Sequence, residues 1–395
     1  MASPLAQHWT LDPGVVFLNH GSFGATPRAV LEVQAQLRAR MEAEPVRFFV
    51  RELEGLLDAA RARLATFLGC DADGLAAVRN ATYGVNAVLR SLRLSPGDEL
   101  LTTDHEYGAC RNALDAVAAQ HGATVTVALI PFPLRSEDEV LAAVLARVTR
   151  RTRLVLIDHV TSPTGLVLPV AAIVSALRER GVQTLIDGAH AAGMLPLDLR
   201  ALGATYYTGN LHKWTSAPKG AGYLYVDREH RLGVRPLAIS HGASSPRTDR
   251  SRFQLEFDWT GTDDPTAFLS VPAALDTMAA MVPGGWATVR ARNRELALRA
   301  RDLLCDALGT QPPAPDGMIG SMAAVPLPAR APRSPLTLDP LQDALFARGV
   351  EVPIVAWPAP PARLVRISAQ LYNDEADYHR LAEALRLELP AGGTI

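Results

Sequence analysis

Short apolar runs alternate with longer amphipathic stretches over the first 226 residues of the chain. The run from Arg153 to Asp158 is apolar between its charged ends, which is typical of a strand that is covered on both faces in a parallel sheet. The stretch from Val50 to Leu68 instead repeats its large apolar residues at helical spacing. This alternation predicts an α/β fold with right-handed crossovers and a doubly wound, mostly parallel sheet.

The pattern changes in the second part of the chain. A long helical pattern from Thr288 to Leu308, a Pro-rich segment (311–335), the strand Leu364–Ser368 and a terminal helix from Asp374 to about Leu387 predict a smaller α/β unit. A chain of 395 residues also exceeds what one hydrophobic core usually serves. We therefore predict an N-terminal arm (residues 1–20), a large domain (21–265) and a small C-terminal domain (266–395).

The first polar candidates lie near the N-terminus. The segment 15–24 predicts a brief strand that breaks into a glycine-rich loop. Thr26 and Pro27 then predict a helix start, with Thr as the N-cap and Pro at the first helical position. Asn19, His20 and Ser22 could reach an active site from the loop, although polar loop residues are more often solvated or turn-forming.

Two polar strand ends carry the strongest chemical signal. The strand that begins at Thr184 ends in Asp187-Gly-Ala-His190, and Lys213 follows Asp187 by 26 residues, after the next strand. Open α/β sheets bind ligands at the carboxyl ends of their strands. A carboxylate that can pair with a pyridine nitrogen and a lysine that can form an imine are what pyridoxal phosphate (PLP) requires. Asp158 also ends an apolar strand, but Gly188 and Ala189 favour Asp187 because they let a flat ligand approach.

The lysine content narrows the choice of amine. The chain has 39 lysines and arginines together, and only Lys213 and Lys219 are lysines, which leaves 37 arginines. A guanidinium stays protonated and forms no Schiff base, whereas a desolvated lysine amine can do so. Lys219 lies in the turn Ala217-Pro-Lys-Gly220, so we interpret Lys213 as the reactive amine and Lys219 as a surface or loop residue.

Two further strand ends offer binding groups. A short strand gives way to Asn80-Ala-Thr82 and then to a helix, and this geometry can hold a phosphate through free amides and the helix dipole, although Thr82 could equally be a simple N-cap. The next strand leads into a loop with His105 and Tyr107, either of which could stack on a flat ring. We favour Tyr107.

Composition excludes several other classes. The net charge is −2 and hydrophobic residues make up 48 %, which does not indicate a nucleic-acid partner. The N-terminal residues lack the pattern of a secretion signal, and no run of about 18 apolar residues predicts a membrane span, so we expect a cytoplasmic protein. Cys70, Cys110 and Cys305 have no metal-ligand spacing, so we predict no metal site and interpret them as small buried hydrophobic residues.

These motifs together resemble a known family over nearly the whole chain. The chain resembles fold type I PLP-dependent enzymes of the class V aminotransferase group, and within it the isopenicillin N epimerase-like branch. The segments that carry the resemblance are 17–24, Asp187-Gly-Ala-His-Ala-Ala-Gly193, 208–220 and Trp259-Thr-Gly-Thr262. They are specific for the cofactor and much less so for the reaction.

The resemblance implies a role for each matching residue. Lys213 would form the Schiff base with PLP, Asp187 would hold the ring nitrogen protonated, and His190 would lie near the ring hydroxyl. Arg366 would clamp the substrate carboxylate, with Asn19 and His20 nearby. The remaining cofactor contacts implied by the resemblance are Tyr107 on the ring, Ser162 near the ring hydroxyl, Asn80, Ala81, Thr82, Asn210 and His212 at the phosphate, and Thr262 reaching the phosphate from the other subunit of a homodimer.

The resemblance leaves the reaction open. PLP enzymes commonly begin by removing a proton from the Cα of an amino-acid substrate. We expect an epimerase or racemase first, a carbon-sulfur lyase acting on a cysteine-derived sulfoxide or thioether second, and an aminotransferase third. A cysteine desulfurase is disfavoured because no cysteine lies between Gly349 and Arg363, shortly before the carboxylate-binding arginine. His190, Tyr107, His20 or a group of the partner subunit could supply the second acid that epimerisation requires.

Two readings from other classes fit less well. A nicotinamide-binding protein should carry a GxGxxG turn after an early strand, and Gly21-Ser-Phe-Gly24 does not match it. A non-catalytic protein of the same fold should have lost Lys213 or Asp187, and both are present.

Overall fold

The computed structural model describes residues 3–330 and 339–389. The last five residues of the predicted Pro-rich segment (331–335) and both chain ends lie outside this range. The strands are β1 Val16–Phe17, β2 Leu75–Val78, β3 Glu99–Thr103, β4 Thr124–Ala128, β5 Thr152–Asp158, β6 Gln183–Asp187, β7 Tyr206–Asn210, β8 Gly222–Val226, β9 Met322–Leu327, β10 Val350–Glu351, β11 Ile354–Ala356 and β12 Arg363–Ser368.

Helices separate most of these strands. They are α1 His20–Phe23, α2 Arg28–Ala43, α3 Pro45–Arg47, α4 Leu53–Leu68, α5 Ala81–Ser91, α6 Gly108–His121, α7 Glu137–Leu145, α8 Val170–Arg178, α9 Leu199–Leu202, α10 Arg252–Phe257, α11 Thr266–Leu269, α12 Val271–Ala280, α13 Gly285–Leu308, α14 Pro340–Ala347 and α15 Glu375–Glu388. A π-helical turn, Phe48–Glu52, joins α3 to α4.

The large sheet has seven strands in the order β2-β8-β7-β6-β5-β3-β4. All neighbours are parallel except β8, which is antiparallel to both β2 and β7. The apolar centres of β5 and β6 are fully buried, as expected for strands covered by helices on both faces. The predicted mostly parallel α/β fold is therefore confirmed, and the carboxyl ends of β3, β5, β6 and β7 open at one edge.

The smaller unit contains a three-stranded antiparallel sheet in the order β11-β12-β9, against which α13 packs, and α15 packs on α13. The N-terminal arm joins this unit, because β1 pairs with β10 in parallel. One apolar cluster runs through both units and includes Ile186 of the large sheet and Val365 of the small one. The predicted boundaries at residues 20 and 265 stay a prediction.

The structure corrects two local predictions near the N-terminus. The predicted glycine-rich loop forms the short helix α1 instead. Thr26 is not the cap of α2: its hydroxyl donates to the carbonyl of Ala217, and Pro27 occupies the N-cap position. The Thr26 hydroxyl thus makes a long-range hydrogen bond and does not cap the helix as the sequence pattern predicted.

The length and hydropathy of the helices bear on whether any of them could span a membrane. Within the described ranges no single helix is long and apolar enough to cross a membrane. One bent pair, Thr266–Ala280 and Gly285–Leu308, meets the requirement together, with an angle of 71° between its parts. The apolar residues Val271 and Leu275 of this pair are completely buried in the core.

Gly24 provides a test of the packing next to Lys213. It has φ +70°, and a Cβ there would lie 1.9 Å from the carbonyl oxygen of His212. We expect Gly24→Ala to lower the free energy of unfolding by about 2–5 kcal/mol, combining backbone strain with overpacking. Gly97→Ala is the matched control, because Gly97 has φ +87° with no atom within 4 Å of the added carbon. For the control, urea denaturation should show that the free energy of unfolding falls by only about 1–2 kcal/mol. Equal losses for both variants would contradict this account.

Candidate active site

The strand register brings the key side chains to one edge of the large sheet. Asp158 of β5 lies opposite Asp187 of β6, and Asp187 lies opposite Thr208 of β7. Lys213 follows three residues after β7 ends at Asn210. The sheet therefore positions the carboxylate and the amine on neighbouring strand ends, as the sequence predicted.

Asp187 is buried and well supplied with donors. Its Oδ1 accepts a hydrogen bond from the Ala189 amide at 2.9 Å, and its Oδ2 accepts one from the Cys110 thiol at 3.2 Å. Burial raises the pKa of Asp187, while the Ala189 amide, Cys110 and the charge of Lys213 oppose that rise. Cys110 is buried as predicted, but it also contacts the site, which the sequence did not indicate.

The amine of Lys213 is held beside His190 and has a lowered pKa. Its Nζ lies 3.0 Å from Nε2 of His190, and the indole N–H of Trp214 donates to Nδ1 of the same ring at 3.4 Å. Burial, followed by the positive charge of Arg366, lowers the pKa of Lys213 to about 7. Burial and Lys213 also lower the pKa of His190 well below its usual value. A neutral His190 that accepts from Trp214 carries its proton on Nε2, where it can donate to the free amine.

His20 holds the backbone of Lys213, and both of its ring nitrogens are hydrogen bonded. Its Nδ1 hydrogen bonds to the Tyr372 hydroxyl at 2.8 Å and its Nε2 to the backbone carbonyl of Lys213 at 2.9 Å. Burial lowers its pKa to about 3. Both ring nitrogens of His20 are therefore engaged within the protein, one with Tyr372 and one with the loop that carries Lys213, and its contact with substrate stays a prediction.

Arg366 of β12 lies in a buried polar pocket between the two units. Its Nη2 donates to the Ser22 hydroxyl at 2.9 Å, and its Nη1 donates to the carbonyl and hydroxyl oxygens of Ser162. No carboxylate of the described residues pairs with it, its Nε has no protein acceptor, and burial lowers its pKa to about 10. An unpaired buried guanidinium is suited to a carboxylate ligand.

Asn19 belongs to the same network. Its Oδ1 accepts from the Ser22 hydroxyl at 2.5 Å, and its amide donates to Glu351 at 3.1 Å. Asn19 therefore positions Ser22, which in turn contacts Arg366. Ser22 was considered with the loop residues but was not among the predicted site residues.

The N-terminus of α5 forms an anion-binding turn. The Asn80 side chain caps the amide of Tyr83, and the Asn210 side chain accepts from the amide of Ala81, both at 2.8 Å. The Thr82 amide receives no acceptor from the described part of the chain. His212 is half-buried beside this region, with Nδ1 3.2 Å from the Ala221 carbonyl and a pKa that burial lowers to about 4.

The two candidates for the stacking ring differ in their surroundings. His105 is buried, hydrogen bonds through Nδ1 to Thr164 at 2.8 Å, and packs 4.2 Å from the Trp357 ring. Tyr107 begins α6 and is 46 % exposed. The ring of His105 is therefore packed inside the protein, whereas the ring of Tyr107 is accessible to a ligand.

Thr262 lies apart from these groups, in an exposed loop before α11. The two residues that follow Thr262 anchor the loop, because Asp263 pairs with Arg79 and Asp264 pairs with Arg38, each at 2.8 Å. Thr262 itself is exposed, and its reach toward another subunit stays a prediction. Lys219 is exposed, as predicted for a loop lysine.

The donor set of this edge fits PLP. A buried carboxylate, an amine with a pKa near 7, a helix N-terminus with a free amide and an unpaired guanidinium would serve the ring nitrogen, the aldehyde, the phosphate and a substrate carboxylate. Cys110 was missed, although it lies three residues after Tyr107 and therefore on the same side of one helical turn. Trp214 was also missed, and nothing in its sequence position indicates that its indole reaches His190.

Comparisons with known proteins show the family and the fold. The chain matches the family described as Aminotransferase class-V over residues 16–381. It is 39% identical over 392 residues to isopenicillin N epimerase from Amycolatopsis lactamdurans, covering 95% of this chain and 96% of that protein. It is 29% identical over 421 residues to an L-cysteine desulfhydrase from Arabidopsis thaliana, covering 97% and 89%. The fold matches an apo cysteine desulfurase from Thermococcus onnurineus with a TM-score of 0.80 and 18% identity, covering 98% of each chain.

The lowered pKa of Lys213 can be measured directly, because the chain has only one other lysine. We expect acetic anhydride to acylate Lys213 of the ligand-free chain with a midpoint at pH about 7. Mass spectrometry of the two lysine peptides across pH reports both residues. Lys219 is the internal control, because burial alone lowers its pKa and no guanidinium adds to that effect. Arg366→Gln should move the Lys213 midpoint to higher pH. A Lys213 midpoint near that of an ordinary lysine would contradict the geometry described.

Proposed function

Because the chain belongs to the Aminotransferase class-V family, we propose that it is a PLP-dependent epimerase that inverts the Cα of an amino-acid substrate. The observation that carries this proposal is the amine of Lys213. It is half-buried beside His190, has a pKa of about 7, and lies on the loop that follows β7, the strand next to that of Asp187. The isopenicillin N epimerase of Amycolatopsis lactamdurans supports the choice of reaction, because it matches nearly the full length of both chains.

The chain's own residues would hold the cofactor at defined points. Lys213 would hold its carbonyl carbon, Asp187 its ring nitrogen and Tyr107 its open face. Ser162 and His190 would lie near its hydroxyl, and the phosphate contacts would be Asn80, Ala81, Thr82, Asn210 and His212. Bound PLP supplies an electron sink for the bond broken at the substrate Cα.

Proton removal from Cα is assigned to Lys213. A lysine with a pKa near the working pH is neutral often enough to accept a proton and protonated often enough to return one. His190 keeps the amine oriented through the 3.0 Å contact, and Trp214 fixes the His190 tautomer. The His20 hydrogen bond to the Lys213 carbonyl holds the backbone from which the amine extends.

Arg366 is assigned to the substrate carboxylate. Its guanidinium is buried and held only by hydroxyl and carbonyl oxygens, so it retains its full charge for an anion. Ser22 and Ser162 would orient the fork, and Asn19 would orient Ser22. The clamp therefore selects substrates with a free α-carboxylate beside the reacting carbon.

Epimerisation requires a second acid, for which Tyr107 is the strongest candidate. His20 has both ring nitrogens engaged, and His190 contacts Trp214 and Lys213. The Tyr107 side chain is half-exposed and lies near the guanidinium of Arg366. A residue that covers the open face of the ring lies on the side opposite Lys213, where the second proton must arrive.

A carbon-sulfur lyase is the second candidate. The L-cysteine desulfhydrase of Arabidopsis thaliana supports it, with a match that covers 97% of this chain. Both reactions begin with the same proton removal at Cα and differ in whether a leaving group departs from Cβ. An aminotransferase or a desulfurase is less well supported. The region 349–363 holds no cysteine, and Cys305 is buried in α13.

We also propose that the enzyme is a homodimer in which Thr262 contacts the phosphate bound by the partner subunit. The exposed loop of Thr262 is anchored by two ion pairs, Arg79 with Asp263 and Arg38 with Asp264. Anchoring of an exposed polar loop is consistent with presenting a side chain to another subunit.

The reaction can be identified in deuterated water. We expect L-amino-acid substrates to keep their carbon skeleton, gain deuterium at Cα and appear with inverted configuration. Lys213→Ala should lower this exchange by about 10²-fold or more, because the base is removed. Lys219→Ala is the matched control and should leave the rate unchanged. Release of pyruvate and ammonia from cysteine conjugates would instead identify the lyase, and full activity of Lys213→Ala would refute the assignment of the base.

The role of Tyr107 separates the two proton transfers. We expect Tyr107→Phe to lower the formation of the inverted product by about 10²–10⁴-fold, because the second acid is lost. The exchange of the Cα proton of the original isomer should persist, since Lys213 is intact. Tyr225→Phe on β8 removes the same hydroxyl elsewhere and serves as the control. Equal loss of exchange and inversion would assign the second acid to another group.

A further inference from the structure

Three carboxyl groups are buried together beneath the candidate active site. Glu106, Asp158 and Asp187 are 8%, 2% and 1% exposed. Asp158 and Asp187 are paired residues of neighbouring parallel strands. One ligand atom each of Glu106, Cys110 and Asp187 lies within 4.8 Å of the others. The proposed function uses only Asp187, so the other two acids need a separate account.

The hydrogen-bond donors are distributed unequally among the three groups. Asp187 accepts from the Ala189 amide and the Cys110 thiol. Glu106 accepts from the Thr102 hydroxyl at 3.3 Å on Oε2, with the backbone amide of Tyr107 as a weaker donor, and its Oε1 has no close partner among the described residues. Oδ2 of Asp158 likewise has none. A buried ionised carboxylate without donors or a counter-ion is strongly unfavourable.

Positive charge around the cluster is also too small for three anions. The cations that act on it are the amine of Lys213 on the loop after β7 and the half-exposed Arg111 of α6, which acts on Glu106. The pKa of Lys213 is about 7, so this amine is neutral much of the time. The remaining titratable groups that interact with the cluster are Cys110 of α6, Tyr207 of β7 and Tyr223 of β8. They are uncharged, because burial, with the proximity of Asp187 adding to it, raises the pKa of each.

We propose that Glu106 and Asp158 are neutral carboxylic acids, and that they act as positioning residues which confine the negative charge of the cluster to Asp187. The proposal rests on the proposed role of Asp187 toward the ring nitrogen of the cofactor. A neutral Glu106 leaves the Cys110 thiol free to donate to Asp187. An ionised Glu106 would compete for that thiol and would draw a proton onto Asp187.

The electrostatics of the site agree with this distribution. Burial raises the pKa of Asp158 well above its usual value, and the charges of Glu106 and Asp187 raise it further. Burial and Asp187 likewise raise the pKa of Glu106. The charge of Lys213 acts to lower the pKa of both Asp158 and Asp187, but Asp187 has hydrogen bonds from two other residues, Ala189 and Cys110, whereas Asp158 has only its own backbone amide. Among three coupled acids, the one with the most donors keeps the charge.

Infrared spectroscopy of the cofactor-loaded protein tests the protonation states directly. We expect carbonyl stretching bands of protonated carboxylic acids at about pH 7, one lost in Glu106→Gln and one in Asp158→Asn. Glu99→Gln is the matched control, because Glu99 is buried but paired with Arg151, which together with the Thr149 hydroxyl lowers its pKa. The control should lose no such band. Absence of these bands from the unmodified protein would overturn the proposal without touching the proposed reaction.

Stability against pH gives a second readout that does not depend on activity. A raised folded-state pKa makes the folded chain hold its proton where the unfolded chain has lost it, so unfolding becomes easier as pH rises above about 4.5. Glu106→Gln has no such proton to retain. Its melting temperature relative to the unmodified protein should therefore rise between about pH 5 and pH 8.

Two outcomes of this experiment would count against the neutral acids. A constant or falling difference in melting temperature would show that Glu106 is ionised in the folded chain. Loss of stability on treatment with a chelator, restored by a divalent cation, would show that a metal ion rather than a proton compensates the cluster. The second outcome would leave the Lys213 chemistry intact, so the two proposals fail separately.

Discussion

Burial of Asp187 at the end of β6 is the constraint on which the site depends. A carboxylate in that position keeps its charge only if donors are brought to it, and the fold supplies them from the turn after the strand and from α6. The same burial lowers the pKa of the neighbouring Lys213 and makes that amine reactive. The acid and the base of the site thus owe their opposite properties to one desolvated environment.

The small unit contributes as much to the site as the large sheet does. Arg366 belongs to β12, and Tyr372 lies shortly after that strand. The segment around His20 lies between the two units. The Gly21 amide donates to Ser368 at 3.0 Å on one side, and His20 holds the Lys213 carbonyl on the other. The carboxylate clamp and the base are therefore connected through a few consecutive N-terminal residues.

Much of the fold could be predicted from the sequence, because β5 and β6 are apolar between polar ends and leave few alternatives to a parallel sheet. Asp187 and Lys213 could be singled out for the same reason: each follows a buried strand, and lysine is rare in this chain. The true environment of His20 could not be predicted. Its ring meets Tyr372, which lies 352 residues away in sequence, and no local pattern reports so distant a contact. The prediction that Thr26 caps α2 was wrong because its hydroxyl bonds to the carbonyl of Ala217, which is again distant in sequence.

The position of α1 between the two units has a consequence for motion. Its residues bond to β12 and to the Lys213 loop at once, and Gly24 fits against His212 too closely for any side chain. A hinge at this junction would have to break these contacts together. The guanidinium proposed to bind the substrate carboxylate and the amine proposed to take the Cα proton should then travel as one rigid body, so that opening and closing would change access to the site and leave its internal alignment unchanged.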